Sequence, residues 1–362
     1  MKNFPANLLP LRVLCVIAAF VFFSGCNFVK KESKTPTLLL SENAKQSDLI
    51  KEVNRFARVN SLRAKMDLKF EDNSFAAIGM KESYTQAPGE IVVQRPGKIR
   101  LTVQVPVIGS DIVQMTSDGE SFRVAILQDN SGGKYKKFVK GTNNADYSKL
   151  QKNLDASEIK NGQAVRENVN AFANLRPQHF TDAMLVRPTD DTGVYTQSSI
   201  FEIEEDTSVD KKSPLRKVMR GYYFLDEFFK QPDGSLLIAR RFWFDRVSSI
   251  RLARQQIFDK DGEIESDIVY GREGNLTGSG NYTNLPLQIL VTRPKEKYSM
   301  RLTYQTPEAV MIGNIFKDEA FVLKNLWNLE EVDLDKKLAE AIIDKPPVSS
   351  KTGTTFFQKP TR

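Results

Sequence analysis

The chain has 362 residues, with 52 Lys and Arg against 45 Asp and Glu, a formal charge of +7, two cysteines and one histidine. So small an excess over so long a chain argues against a nucleic-acid binder. One histidine and two cysteines build neither a nitrogen or sulfur metal site nor a disulfide framework, so no metal and no cofactor is expected.

At the start, Lys2 and Arg12 precede the apolar run Val13 to Phe23, which ends in Ser24-Gly25-Cys26. A basic beginning, a short apolar core and small residues read as a cleaved secretory signal over 1–25, shorter than the roughly 18 apolar residues of a membrane span. Cys15 is lost with the signal, and Cys26 becomes the new terminus. Residues 26–46 are polar and suit a flexible tether, although the run Leu38-Leu39-Leu40 inside it has no explanation from pattern alone.

From Ser47, read as an N-cap, the positions Leu49, Ile50, Val53, Phe56 and Ala57 recur at helical spacing. Period 3.6 then gives way to period 2. Ala64, Met66, Leu68 and Phe70 alternate with Arg63, Lys65, Asp67 and Lys69, as in a half-buried strand. Two further alternations, Ile99-Leu101-Val103-Val105 and Phe122-Val124-Ile126, flank Pro106-Val107-Ile108-Gly109-Ser110 and the turn Asp118-Gly119, giving an antiparallel meander. Val107 and Ile108 are apolar residues in a break that is ordinarily polar. They either pack on the sheet edge or stand out as a contact loop for membrane or cargo.

The region 128–174 reads as an inserted loop with a short helix around 146–160. Arg176-Pro177 opens a second short helix carrying Phe180, Met184 and Leu185 and ending before Pro188. The stretch 201–235 mixes charges with aromatics and reads as another insertion. Strand signals then resume over Leu236–Asp245, Ile250–Phe258, Ile264–Tyr270, Leu285–Thr292, Tyr298–Gln305 and Phe316–Leu323, with turns at Gln231-Pro232-Asp233-Gly234 and Asp259-Lys260-Asp261-Gly262. The tail 344–362, with Pro346-Pro347, reads as disordered. The pattern predicts an α+β, mainly β fold. A single domain over 47–343 would hold one large antiparallel sheet curled around the leading helix, with the insertions at 128–174 and 201–235.

The lone His179 reads as an ordinary helix-terminal or surface residue. No serine lies in a nucleophile motif, and Glu204-Glu205 and Glu330-Glu331 point to opposite faces of a strand. Phosphate loops and dinucleotide fingerprints are absent. The expected protein is therefore not an enzyme.

Two resemblances sharpen this. Ser24-Gly25-Cys26 resembles the lipobox of bacterial lipoproteins, which implies acylation of Cys26 and palmitate among its chains; Asn27, where inner-membrane retention uses Asp, implies the outer membrane. The helix-to-strand entry Phe56–Phe70, the corner Pro106–Gly119 and the segment Leu285–Tyr304, with Thr292-Arg293-Pro294 and Tyr298-Ser299-Met300, are together similar to the LolA/LolB-like lipoprotein carriers and receptors. That resemblance implies a strongly curved half β-barrel around an N-terminal helix, with short plugging helices and an apolar cavity for acyl chains. It also implies an exposed apolar residue before the glycine of a Pro-Leu-Gly-Ser turn, the position held here by Ile108 with Val107 as one residue more. The expected cavity is lined by Val53, Phe56, Met66, Leu68, Leu101, Val103, Val124, Ile126, Phe180 and Met184. The function so implied is a lipid-anchored, periplasm-facing protein that binds acyl chains of lipoproteins or lipids, for transport or membrane insertion, alongside a periplasmic carrier protein. The competing expectation is an interaction lipoprotein that uses the curved sheet as a docking surface for an envelope assembly.

Overall fold

A computed structural model describes residues 35–72, 82–83, 86–128, 133, 136–145, 147, 176–247, 249–271, 276 and 285–343. The signal segment, Cys26, Asn27, the first part of the tether, the helix expected around 146–160 with most of its insertion, and the tail from 344 lie outside these residues. By its contacts the chain divides into two units, one of residues 1–39 with 203–219 and one of 40–202 with 220–362.

The larger unit begins with helix α1 (Gln46–Ala57), whose Leu49, Val53 and Phe56 are buried. It starts one residue before the expected cap: Lys45 takes that place, with the Asp48 carboxylate accepting its backbone N–H at 3.2 Å. An acid in the first turn also suits the helix dipole.

The strands that follow, after β1 (Thr37–Leu38) of the smaller unit, are β2 (Ser61–Asp72), β3 (Glu82–Ser83), β4 (Ala87–Gln94), β5 (Lys98–Gln104), β6 (Asp111–Asp118), β7 (Ser121–Ile126) and β8 (Lys137–Thr142). After helix α2 (Pro177–Met184) come β9 (Val194–Glu205), β10 (Lys217–Lys230), β11 (Leu236–Asp245), β12 (Arg251–Phe258), β13 (Ile264–Tyr270), β14 (Gln288–Arg293) and β15 (Tyr298–Tyr304). The short β16 (Met311–Ile312), then β17 (Glu330–Asp333) and helix α3 (Leu334–Ile343), end the described chain.

Within the larger unit the pairings run β10–β11–β12–β13–β14–β15–β2–β4–β5–β6–β7–β8, all antiparallel, and β17 adds to β8 in parallel. The sheet is curved and unclosed, the fold class expected from the sequence. Its two sequence halves join where β15 lies against β2, with Leu302 opposite Leu68 and Met300 opposite Phe70. At Gly89 of β4 a Cβ would stand 2.6 Å from the Thr102 carbonyl oxygen and 2.8 Å from Leu68 Cδ1, so glycine lets three strands pack there.

Three stretches differ from the sequence reading. Part of the 128–174 region, read as an inserted loop, is strand β8, which continues the sheet beside β7. The 201–235 region is not a loose insertion but contains the end of β9 and the whole of β10. Its alternation is hidden because Asp226 and Glu227 are buried as ion-pair partners beside the apolar Leu225. Residues 316–323 are not a strand either. The backbone donors at the two ends go to side chains, Phe316 N–H to Gln94 Oε1 at 2.7 Å and Leu323 N–H to Thr116 Oγ1 at 3.0 Å, around a 3₁₀ turn at Asp318–Phe321. The segment is a strap over β4, β5 and β6, pinned by Phe321 at 0% exposure and by the Lys98–Asp318 ion pair.

Candidate functional site

The loop between β5 and β6 is closed by Val105 N–H to Ser110 C=O at 2.8 Å and Gly109 N–H to Val105 C=O at 3.0 Å. Polar side chains brace its base: Gln104 and Gln114 donate to the two oxygens of Asp111 at 3.1 and 2.6 Å, and Gln128 donates to Ser110 Oγ at 2.9 Å. On this base Val107 is 106% and Ile108 77% exposed, so of the two expectations for this pair the solvent-exposed tip is the one found. Val107 sits at φ 72°, where a β-branched side chain is strained by about 1–2 kcal/mol. Ordinary turn chemistry gives no reason to keep Val there.

All ten residues expected to line an acyl cavity meet in one core. Val53, Phe56, Met66, Leu101, Val103, Val124, Ile126, Phe180 and Met184 are buried, and Leu68 packs against them partly buried. Helix α2 enters this core because Pro177 suits a first helical position and because Phe180, Ala183 and Met184 fall on its inward side.

What the sequence did not reveal is how α2 and the segment after it are fastened. Arg95 donates to Val186 C=O at 2.5 Å. Asn54 of α1 exchanges two bonds with Thr189, at 2.8 and 3.0 Å. Arg240 donates to the carbonyls of Arg187 and Pro188, both at 2.7 Å, while its guanidinium also grips the fully buried Glu227. Burial works against the charge of Glu227, but Arg240, the Tyr195 hydroxyl and the Asp190 N–H outweigh it and hold the carboxyl below its usual range. Tyr195 is pushed above the ordinary phenol range by burial and by Glu227. A buried charge pair of this kind costs desolvation, and loss of one partner strands the other, so the latch fixes position more than it adds stability.

His179 is helix-terminal, as one expectation had it, in the first turn of α2, but it is not a surface residue, being 1% exposed. Its Nδ1 meets the Tyr298 hydroxyl, and Nε2 has no hydrogen-bond partner among the described residues. Burial, then Arg293 and Arg176, hold its pKa well below the ordinary histidine value, so it is neutral.

Beside the latch lies a cavity of about 670 Å³ whose apolar wall includes Phe229, Ile257 and Phe258 and whose rim carries Arg187, Asp190 and Glu265. None of the ten expected lining residues borders it. Among the described residues there is no group of three or more His, Cys, Asp or Glu placed to hold a metal, and no helix long and apolar enough to cross a membrane.

No family model matches the chain, and a search of curated proteins finds no relative. Among solved structures it is similar to a LolA superfamily protein from Nitrosomonas europaea, at 8% identity and TM-score 0.37, covering 78% of this chain and 99% of that one. It is also similar to a DUF1329 family protein from Desulfovibrio piger, at 10% identity and TM-score 0.39, covering 76% and 95%. A third is a domain assigned to outer membrane lipoprotein sorting from Vibrio parahaemolyticus, at 9% identity and TM-score 0.36, covering 76% and 97%.

Proposed function

We propose that this chain is a lipid-anchored envelope protein, held by acylated Cys26 at the periplasmic face of the outer membrane. It binds acyl chains of lipoproteins or lipids on the concave side of its sheet and delivers them to a membrane through the Val107–Ile108 tip. The observation that carries the reading is that tip: two large apolar side chains displayed on a braced turn, one of them at strained backbone. Such a feature stabilises nothing in the fold and gains free energy only when it leaves water.

Two features support the rest. The cavity beside the latch falls in the size range of small-ligand sites, about 300–1,000 Å³. The core under α2 is mainly apolar, with His179 and Thr181 of the same helix buried at its edge, so an acyl chain displacing Phe180 and Met184 meets largely apolar surface.

The test is reconstituted transfer of an acylated cargo, with fluorescent fatty acid binding read in parallel. Burying one Ile side chain in lipid contributes about 1.5–3 kcal/mol, so Ile108→Glu is expected to lower transfer by about tenfold or more while the melting temperature stays put. Val103→Trp, placed in the core, is expected to abolish fatty acid binding while its melting curve shows a folded chain. Full transfer by Ile108→Glu, or a wild-type chain that binds no fatty acid and carries no lipid, overturns the reading.

A further inference from the structure

The run Leu38-Leu39-Leu40, unexplained by pattern, has a structural place in the smaller unit. Thr37 and Leu38 pair in parallel with Val218 and Met219, so Leu38 shares a sheet face with Met219, and by alternation with Lys217. On the other side of β10, the N–H of Asp206 donates to the Arg216 carbonyl at 2.7 Å. Continued along the hairpin, that register sets Ile203 opposite Met219. The result is a three-strand row, Leu38, Met219 and Ile203. Val218, on the opposite face, is the one that is buried, at 4% exposure.

The row is open to solvent. Leu38 is 64% and Ile203 55% exposed, and Leu215, on the 3₁₀ turn Pro214–Arg216 at the hairpin end, is 61% exposed. The acids around it are engaged locally. Glu205 pairs with Arg216, Asp206 accepts from Ser208, and Asp210 caps the N–H of Lys212. Lys211, Lys212 and Lys217 are exposed beside these apolar side chains.

We infer that this face of the smaller unit is a second, interfacial membrane contact, seated on a lipid surface with anionic headgroups. The occupant follows from the chain itself. Thr37 stands eleven positions after Cys26, a span of at most about 40 Å when fully extended, and Lys30, Lys31 and Lys34 lie along it against the single acid Glu32. An acylated Cys26 therefore holds this hairpin within a few nanometres of headgroups, where even a weak apolar and basic face is occupied by mass action. A soluble partner has no such enforced proximity. The inference rests on the proposed anchoring at Cys26 for its proximity, but not on the acyl-binding part of that reading.

The acylated chain, whose cysteine sulfur is blocked, is labelled with an environment-sensitive dye at Leu215→Cys and reconstituted on vesicles of phosphatidylcholine with about one third phosphatidylglycerol. A blue shift at 215, absent from the same dye at Asp233→Cys, is expected, and Ile203→Glu is expected to abolish it. In the same acylated chain with the dye moved to Lys212→Cys, the Ile203→Glu and Leu215→Glu pair is expected to abolish the blue shift on these vesicles. Both substitutions are on exposed side chains, so an unchanged melting curve accompanies them. A dye at 215 that stays in water like the dye at 233, or a blue shift at 212 indifferent to both substitutions, overturns the inference. Failure of fatty acid binding leaves these readouts unmoved and bears on the proposed function alone.

Discussion

Three hairpin loops of the larger unit close in one way and differ in what they show to solvent. In Gln231–Ser235 and Asp259–Glu263 the first residue donates its N–H to the last carbonyl, at 2.8 and 3.0 Å, and the penultimate glycine donates back to the first carbonyl, at 2.9 and 3.1 Å. Val105–Ser110 repeats the scheme with one residue more. In all three the glycine has positive φ: 86° at Gly234, 77° at Gly262 and 73° at Gly109. The first two fill the loop with Asp side chains that satisfy backbone donors, Asp233 for Ser235 and Asp259 for Asp261 and Glu263. The third fills it with Val107 and Ile108, satisfies no donor with them, and places Val107 itself at positive φ. The fold needs only the glycine and the closing bonds. The apolar tip is surplus to it, and that surplus is where function is to be sought.

The largest expected effect comes from erasing the difference. Replacing Pro106-Val107-Ile108-Gly109 by Pro-Asp-Gly copies the Gln231–Ser235 turn, and cargo transfer is expected to fall by about tenfold or more with stability held or raised. A chimera that transfers normally makes the apolar tip incidental. Next, Gly262→Val puts a β-branched residue at left-handed φ in a polar turn and is expected to cost about 1–2 kcal/mol in chemical denaturation. The reverse change, Val107→Asn, is expected to stabilise by about 1 kcal/mol, because Asn tolerates that conformation and a fully exposed Val side chain has no packing to lose. If Val107→Asn destabilises instead, the strain at φ 72° is not real.

The smallest effect concerns another turn, Asp118-Gly119-Glu120, between β6 and β7. Burial disfavours ionised Asp118, but the N–H groups of Ser121 and Glu120 and the Arg123 guanidinium prevail, so its carboxyl lies below the usual range. A carboxylate depressed on folding contributes stability above its unfolded pKa of about 4, and that contribution is lost as pH falls through the folded value. Asp118→Asn is thus expected to be less stable than the wild type at pH 7, with the gap closing in denaturation curves below about pH 4. A gap of constant size down to low pH rejects this account.

Much of the fold could be read along the chain, because the signals are local. Alternation named β2, β5 and β7, the helical spacing of Leu49, Val53 and Phe56 named α1, and a proline at its start named α2. The exposed pair at 107–108 was also visible, as two apolar residues between Pro106 and Gly109. Where reading failed, the cause was partners distant in sequence. The alternation of β10 is masked because Glu227 is neutralised by Arg240 from the next strand. The strap at 316–323 looks like a strand until Gln94 and Thr116 claim the backbone donors at its two ends. His179 reads as a helix-terminal or surface residue, and Tyr298 and the core close over it at the helix start.

Sequence by itself thus determined the period of each element, which apolar residues share an inward face and the oddity of the β5–β6 tip, since each depends on neighbours within a few residues. Only the tertiary structure decided that β15 joins β2, that Arg240, Arg95 and Asn54 latch the segment after α2, and that Leu38, Met219 and Ile203 fall in one row. Those outcomes depend on strand register and on buried charges finding one another across the fold, and no local pattern encodes either.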